Sequence, residues 1–134
     1  FLEIKPNQEV HFELGRALVG QSASLITRAL YIKNGKKKNF VVLDAGMTEL
    51  MRPALYQAYH KIENLTRGNE TEIVKYDIVG PICESTDCFG KEVEQPKSFR
   101  GDIFAIRSAG AYGEVMASKY NLRDAIRTVY SSEI

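Results

Sequence analysis

Apolar and polar positions alternate in short bursts along this chain, and most bursts end in a turn signal. The first, "VHFE" at residues 10–13, reads as a short strand that breaks at Gly15. Further on, two runs rich in β-branched and aromatic residues flank "NGKKKN". Asn34-Gly35 is a strong turn signal because both residues accept positive φ, so the pattern predicts a hairpin. "MTELMRPALYQAYHKI" predicts one or two helical turns, with Pro53 opening the second, where its missing N–H costs little. "NETEIVKYDIVGPICE" predicts a strand running into a loop, and "DIFAIRSA" a further strand. After Asn121, "LRDAIRTVYSSEI" fits either a helical turn with a short strand or a ragged end. Short strands separated by turns point to a mainly-β fold, a β-sandwich or barrel with small helical insertions.

Composition narrows the class without naming a function. A chain of 134 residues is expected to form one domain that needs no disulfides. With a net charge of +1 there is no bulk electrostatic case for a nucleic-acid or membrane partner. No apolar run approaches the roughly 18 residues of a membrane span, and "FLEIKPNQEV" is no signal peptide. Together with only two cysteines, this favours a reducing, cytoplasmic setting. The sequons Asn64-Leu-Thr66 and Asn69-Glu-Thr71 read as loop composition. The chain opens on a polar lead and a strand with nothing before them, as expected of a cut through a larger protein.

Candidate chemistry is concentrated in a few places. "GPICESTDCFG", residues 80–90, holds Cys83 and Cys88 around an acidic centre. Its Cys-x4-Cys spacing supplies at most half a zinc site, and neither His11 nor His60 completes one, so no metal is expected. The bland alternative is a turn with Glu84 and Asp87 solvated. Arg52 and Tyr56, four residues apart on a helical turn, share a face and suit a carboxylate; otherwise they are a surface arginine beside a core tyrosine. In "GAYG", residues 110–113, the glycines allow close backbone approach and expose the Tyr112 ring. Lys36-Lys37-Lys38 reads as a solvated hairpin tip.

Taken in order, "ELGRALVG", "DAGMTELMRPALYQAYH", "GPICESTDCFG" and "GAYGEVMASKYNLR" resemble the C-terminal half of the diaminopimelate decarboxylases, over residues 9–123. These are fold-type III pyridoxal-phosphate enzymes, homodimers in which a (β/α)8 barrel holds the cofactor and a β-domain closes the site. The related ornithine and arginine decarboxylases share the Gly-Arg and cysteine loops but are less similar at "RPALYQAYH" and "CES".

The resemblance implies residues 1–16 as the last strand and Gly-Arg loop of an absent barrel, and 17–134 as the β-domain. It implies Gly15, Arg16 and Tyr112 at the cofactor, pyridoxal 5'-phosphate. Arg16, Arg52, Tyr56, Glu84 and Tyr112 would bind meso-diaminopimelate, which such enzymes convert to L-lysine and CO2. Cys83 would be catalytic, on a loop that reaches the neighbouring subunit's site. Two departures stand out: Leu14 occupies the place of a motif proline, and the last dozen residues lack the usual proline-rich stretch. No lysine here sits where the family's cofactor lysine does. The chain alone is therefore expected to be inactive and not to retain the cofactor. The other reading is a free-standing β-domain serving as a binding or regulatory module.

Overall fold

The computed structural model describes residues 3–133; Phe1, Leu2 and Ile134, the ends of the two expected segments, lie outside the described residues. Six strands form the wall: β1 (Leu25–Asn34), β2 (Asn39–Leu43), β3 (Ile62–Asn64), β4 (Ile73–Val79), β5 (Cys88–Pro96) and β6 (Ile103–Ile106). Two short helices, α1 (Arg16–Val19) and α2 (Arg52–Tyr56), lie outside it. Strand order is β3-β6-β1-β2-β4-β5, antiparallel except for β2 with β4. The mainly-β expectation with small helical insertions is met.

Curling of the sheet begins in β1. Residues Leu25 to Arg28 pair with β6, the pairing with β2 takes over at Ala29, and the register slips between Ala29 and Tyr31. An extra residue of this kind bends a strand and increases its twist. The two end strands then meet through a side chain. Gln95 of β5, almost wholly buried, accepts from Asn64 N at 3.0 Å and donates to Ile62 O at 2.7 Å. One amide thus replaces a ladder between β3 and β5 and nearly closes a barrel. Inside lie Val41, Leu43, Ile78, Phe104 and Ile106, all fully buried.

The predicted hairpin forms, for a different reason than the turn signal suggested. Its loop is four residues long, since Asn34 pairs with Asn39. Neither Asn34 nor Gly35 has positive φ. Glycine is needed at 35 because a Cβ there would meet the Lys38 carbonyl oxygen, which accepts from Gly35 N at 3.0 Å. Lys38 is more than a solvated tip residue: its ammonium pairs with Asp77 at 2.9 Å.

One predicted element is absent. Residues 8–15 carry no regular structure and are exposed, so "VHFE" is not a strand here. A strand persists only where a neighbour satisfies its backbone groups, and no strand among the described residues pairs with it. The C-terminal stretch follows the ragged alternative, with single 3-10 turns at Tyr120–Leu122 and Ser131–Glu133. No helix among the described residues is long and apolar enough to cross a membrane.

Asn64 is buried in β3 rather than in a loop. Its amide donates to Ser98 Oγ at 2.9 Å and Asp102 Oδ2 at 3.0 Å. The same Asp102 accepts from Phe99 N at 2.9 Å and from Arg67, whose Nη2 stands at 2.9 Å. This network ties β3 to the turn before β6.

Candidate functional site

The connection from β2 to β3 carries the first cluster. Gly46 O accepts from Glu49 N and Leu50 N, making a turn, and α2 follows with Pro53 in its first turn. Leu50 and Pro53 are buried beneath, so the opposite face of α2 points outward. There the Arg52 guanidinium carbon lies 5.3 Å from the Tyr56 ring centroid and 5.9 Å from that of Tyr112. Both rings are about half exposed, which excludes the core-tyrosine alternative. A guanidinium held between two aromatic faces keeps its N–H fork free for a bidentate acceptor.

Tyr112 reaches this place because its loop is docked on α1. Gly110 N donates to Gly20 O at 3.0 Å, and any Cβ at 110 would meet the Val19 carbonyl oxygen and Ser22 Oγ. Glycine is therefore required at 110 by close approach. On the far side, a Cβ at Gly15 would stand 3.5 Å from Tyr112 Oη. Gly15, Arg52, Tyr56 and Tyr112 are thus one group. Arg16, next in sequence, has an exposed side chain at the start of α1.

Cys83 and Glu84 belong to a second group. The loop 80–88 folds back on itself, with Gly80 N donating to Asp87 O at 3.1 Å and Glu84 N to Ile82 O at 2.8 Å. Cys83 is an exposed free thiol. Glu84 accepts from Tyr120 Oη at 2.5 Å, and that hydrogen bond, with the nearby negative charge, pushes the phenol's pKa up. A cleft of about 400 Å³ runs between Glu84, Tyr120, Met47, Thr48, Met51 and Ser118. Met51 borders it and Arg52 follows in the chain, so the cleft adjoins the start of α2.

Other candidates resolve into structure. Cys88 is half-buried and donates to Gly90 O at 3.5 Å; burial pushes its thiol pKa up, with the Asp77 charge adding to the effect. His60 is buried in the connection, with Nδ1 donating to Arg107 O at 2.8 Å. His11 pairs with Glu9 at the exposed N-terminal lead. Among the described residues no group of three or more His, Cys, Asp or Glu could hold a metal ion.

Asp87 departs most from expectation. The solvated-turn alternative placed it in water, yet it is 4% exposed and accepts from Met47 N and Ile82 N, each at 2.6 Å. Tyr120 and Arg123 were not expected at the site either. Arg123 donates to Glu49 Oε1 at 3.3 Å and to Asp44 O, fastening the segment after "GAYG" to the turn before α2. The only sequence signal for these was proximity to "GAYG" and the glycines at 46 and 80.

Residues 18–110 match a family model described as pyridoxal-dependent decarboxylase, C-terminal sheet domain. A diaminopimelate decarboxylase of Bacteroides thetaiotaomicron is 59% identical over 133 residues, covering 99% of this chain and 34% of that protein. The crystal structure of the Helicobacter pylori diaminopimelate decarboxylase complexed with L-lysine superposes with a TM-score of 0.74 at 49% identity, covering 81% of this chain and 26% of that one. A lysine/ornithine decarboxylase from Vibrio vulnificus shares the fold, with a TM-score of 0.75 at 21% identity, covering 86% of this chain and 31% of that one. The chain thus spans about a third or less of the length of the proteins it matches.

Proposed function

The chain belongs to the pyridoxal-dependent decarboxylase family through its C-terminal sheet domain, and from that premise we propose that it is the substrate-side domain of a diaminopimelate decarboxylase. In this reading residues 1–16 are the tail of an upstream barrel and 17–134 the sheet domain, and the parent enzyme releases CO2 and L-lysine from meso-diaminopimelate. The observation that carries it is the Arg52 guanidinium between the Tyr56 and Tyr112 rings, beside Gly15. Diaminopimelate differs from lysine by a distal carboxylate, and a half-buried arginine flanked by phenols complements that group. A site built around such a partner rejects an analogue lacking it by up to roughly 10⁴-fold.

Pyridoxal phosphate, when bound, supplies the electron sink for loss of CO2 at the α-carbon. The residues here fit part of its site. Gly15 leaves open the space beside the Tyr112 phenol, and the exposed Arg16 offers a cation to the phosphate. The chain's own tasks are then binding and proton transfer. Arg52 with Tyr56 would hold the distal carboxylate of the substrate, with Arg16, next to Gly15 in the chain, as a further cation for it. Glu84, fixed by Tyr120, would accept from the distal ammonium. Cys83 Sγ would hold the proton delivered to the α-carbon. Exposure of Cys83 and Glu84 on the 80–88 loop suits a homodimer in which each subunit's loop serves the other's site.

In the full-length enzyme, Arg52→Ala should raise KM for diaminopimelate at least tenfold, with kcat changed far less. Steady-state kinetics with diaminopimelate and ornithine as competing substrates tests both assignments. An unchanged KM removes Arg52 from the distal site, and preferential turnover of ornithine defeats the substrate assignment.

A further inference from the structure

Asp87 is a buried carboxylate that the proposed chemistry does not use. It lies four residues after Cys83 and three after Glu84. Its two oxygens accept from two different stretches of chain, Ile82 N within its own loop and Met47 N in the turn that leads into α2. Both glycines facing it are required by its presence. A Cβ at Gly46 would stand 2.9 Å from each carboxylate oxygen, and one at Gly80 would overlap them. Burial pushes the carboxyl's pKa up against those two N–H bonds, so the folded chain holds it at a cost. A group retained at a cost, with two glycines shaped around it, calls for a reason beyond stability.

We propose that Asp87 is a positioning residue, which fixes the Cys83–Glu84 loop in register with the turn bearing Arg52 by bridging Ile82 N and Met47 N. This rests on the reading of Cys83 as the proton-bearing thiol and adds the device that holds the thiol in place. The bridge explains why an exposed loop is compact. Ile82, just before Cys83, is buried and anchored through its amide, and Asp87 N donates to Glu84 O at 3.1 Å. The pair between the anchors has little freedom left. On the other side of the bridge, the same turn is held by Ser118 N donating to Thr48 O at 2.9 Å and by Arg123 on Glu49. The thiol loop, α2 and the segment after Tyr112 therefore meet at residues 46–49.

Asp87→Asn retains shape but replaces one acceptor with a donor facing an N–H. The test is a double-mutant cycle in the full-length enzyme with Cys83→Ala, Asp87→Asn and both together, with thermal melts of each. Asp87→Asn should lower kcat at least tenfold, and KM should rise as well because Glu84 sits on the same loop. Combined with Cys83→Ala it should lower kcat less than twofold further, because in kcat both act through one thiol. Multiplying losses in the double variant, or a single-variant kcat within twofold of wild type, would overturn the inference. If Asp87→Asn does not fold, Gly46→Ala displaces the same carboxylate without changing charge and is put through the same cycle. The two failures differ. A fully active Cys83→Ala sinks the thiol's role and the inference with it, whereas an inactive Cys83→Ala beside an unaffected Asp87→Asn sinks the inference alone.

Discussion

Asp102→Ala is expected to destabilise the fold by about 3 kcal/mol, on the order of 10 °C in Tm. Asp102 is 2% exposed and accepts from Phe99 N, the Asn64 amide and the Arg67 guanidinium. Removing it leaves Phe99 N and one side of the Asn64 amide without their acceptor, which costs more than the bonds themselves contribute. Water reaches Arg67 from one side and recovers part of the loss, so the estimate sits at the lower end for a buried pair. The pH dependence has a definite sign. Burial alone would raise the carboxyl, but the Arg67, Asn64 and Phe99 donors outweigh it and hold its pKa below the ordinary aspartate value. A carboxylate of that kind stabilises at pH above its unfolded value, and the contribution is lost as pH falls through the folded one. The gap in Tm between the wild type and Asp102→Ala should therefore be full near neutrality and narrow in acid. Thermal melts across that range decide it; a variant melting within about 2 °C of wild type at pH 7 would refute the role given to the network.

The second large effect is catalytic. Cys83→Ala in the full-length enzyme should lower kcat by roughly 10²- to 10³-fold, the range for losing a positioned proton-transfer group. KM should move little, because Arg52, Tyr56 and Glu84 are untouched and the thiol meets the substrate only where bonds change. Rates of lysine formation at saturating and limiting diaminopimelate separate the two quantities. A kcat near wild type would end the thiol's candidacy, and a loss confined to KM would make Cys83 a contact rather than a proton carrier.

Hydrophobic pattern exposed some elements and hid others for identifiable reasons. β1, β2, β4 and β6 alternate or run apolar, and the pattern reads them. β5, "CFGKEVEQP", is mostly polar on its outward face, contains Gly90, and has Glu92 at φ 52°, so its period is broken where its register shifts. β3 has three residues, too few to show any period. "VHFE" alternates well but lacks a neighbour, and alternation cannot report that. At the site, the nearness of Arg52 to Tyr56 and the exposure of Tyr112 were legible, because spacing on a turn and flanking glycines are local. Asp87 was not, since it packs against Gly46, 41 positions away in the chain.

The parallel pairing of β2 with β4 has an effect on what can vary. A parallel neighbour cannot be reached by a tight turn, so the chain must travel over the rim of the barrel before it re-enters the wall. The stretch between β2 and β3, residues 44–61, bears Arg52 and Tyr56 on the outward side of α2 before β3 re-enters the wall beside β6. Side chains on that outward side can therefore change without disturbing the wall, whereas Leu50 and Pro53 beneath them cannot.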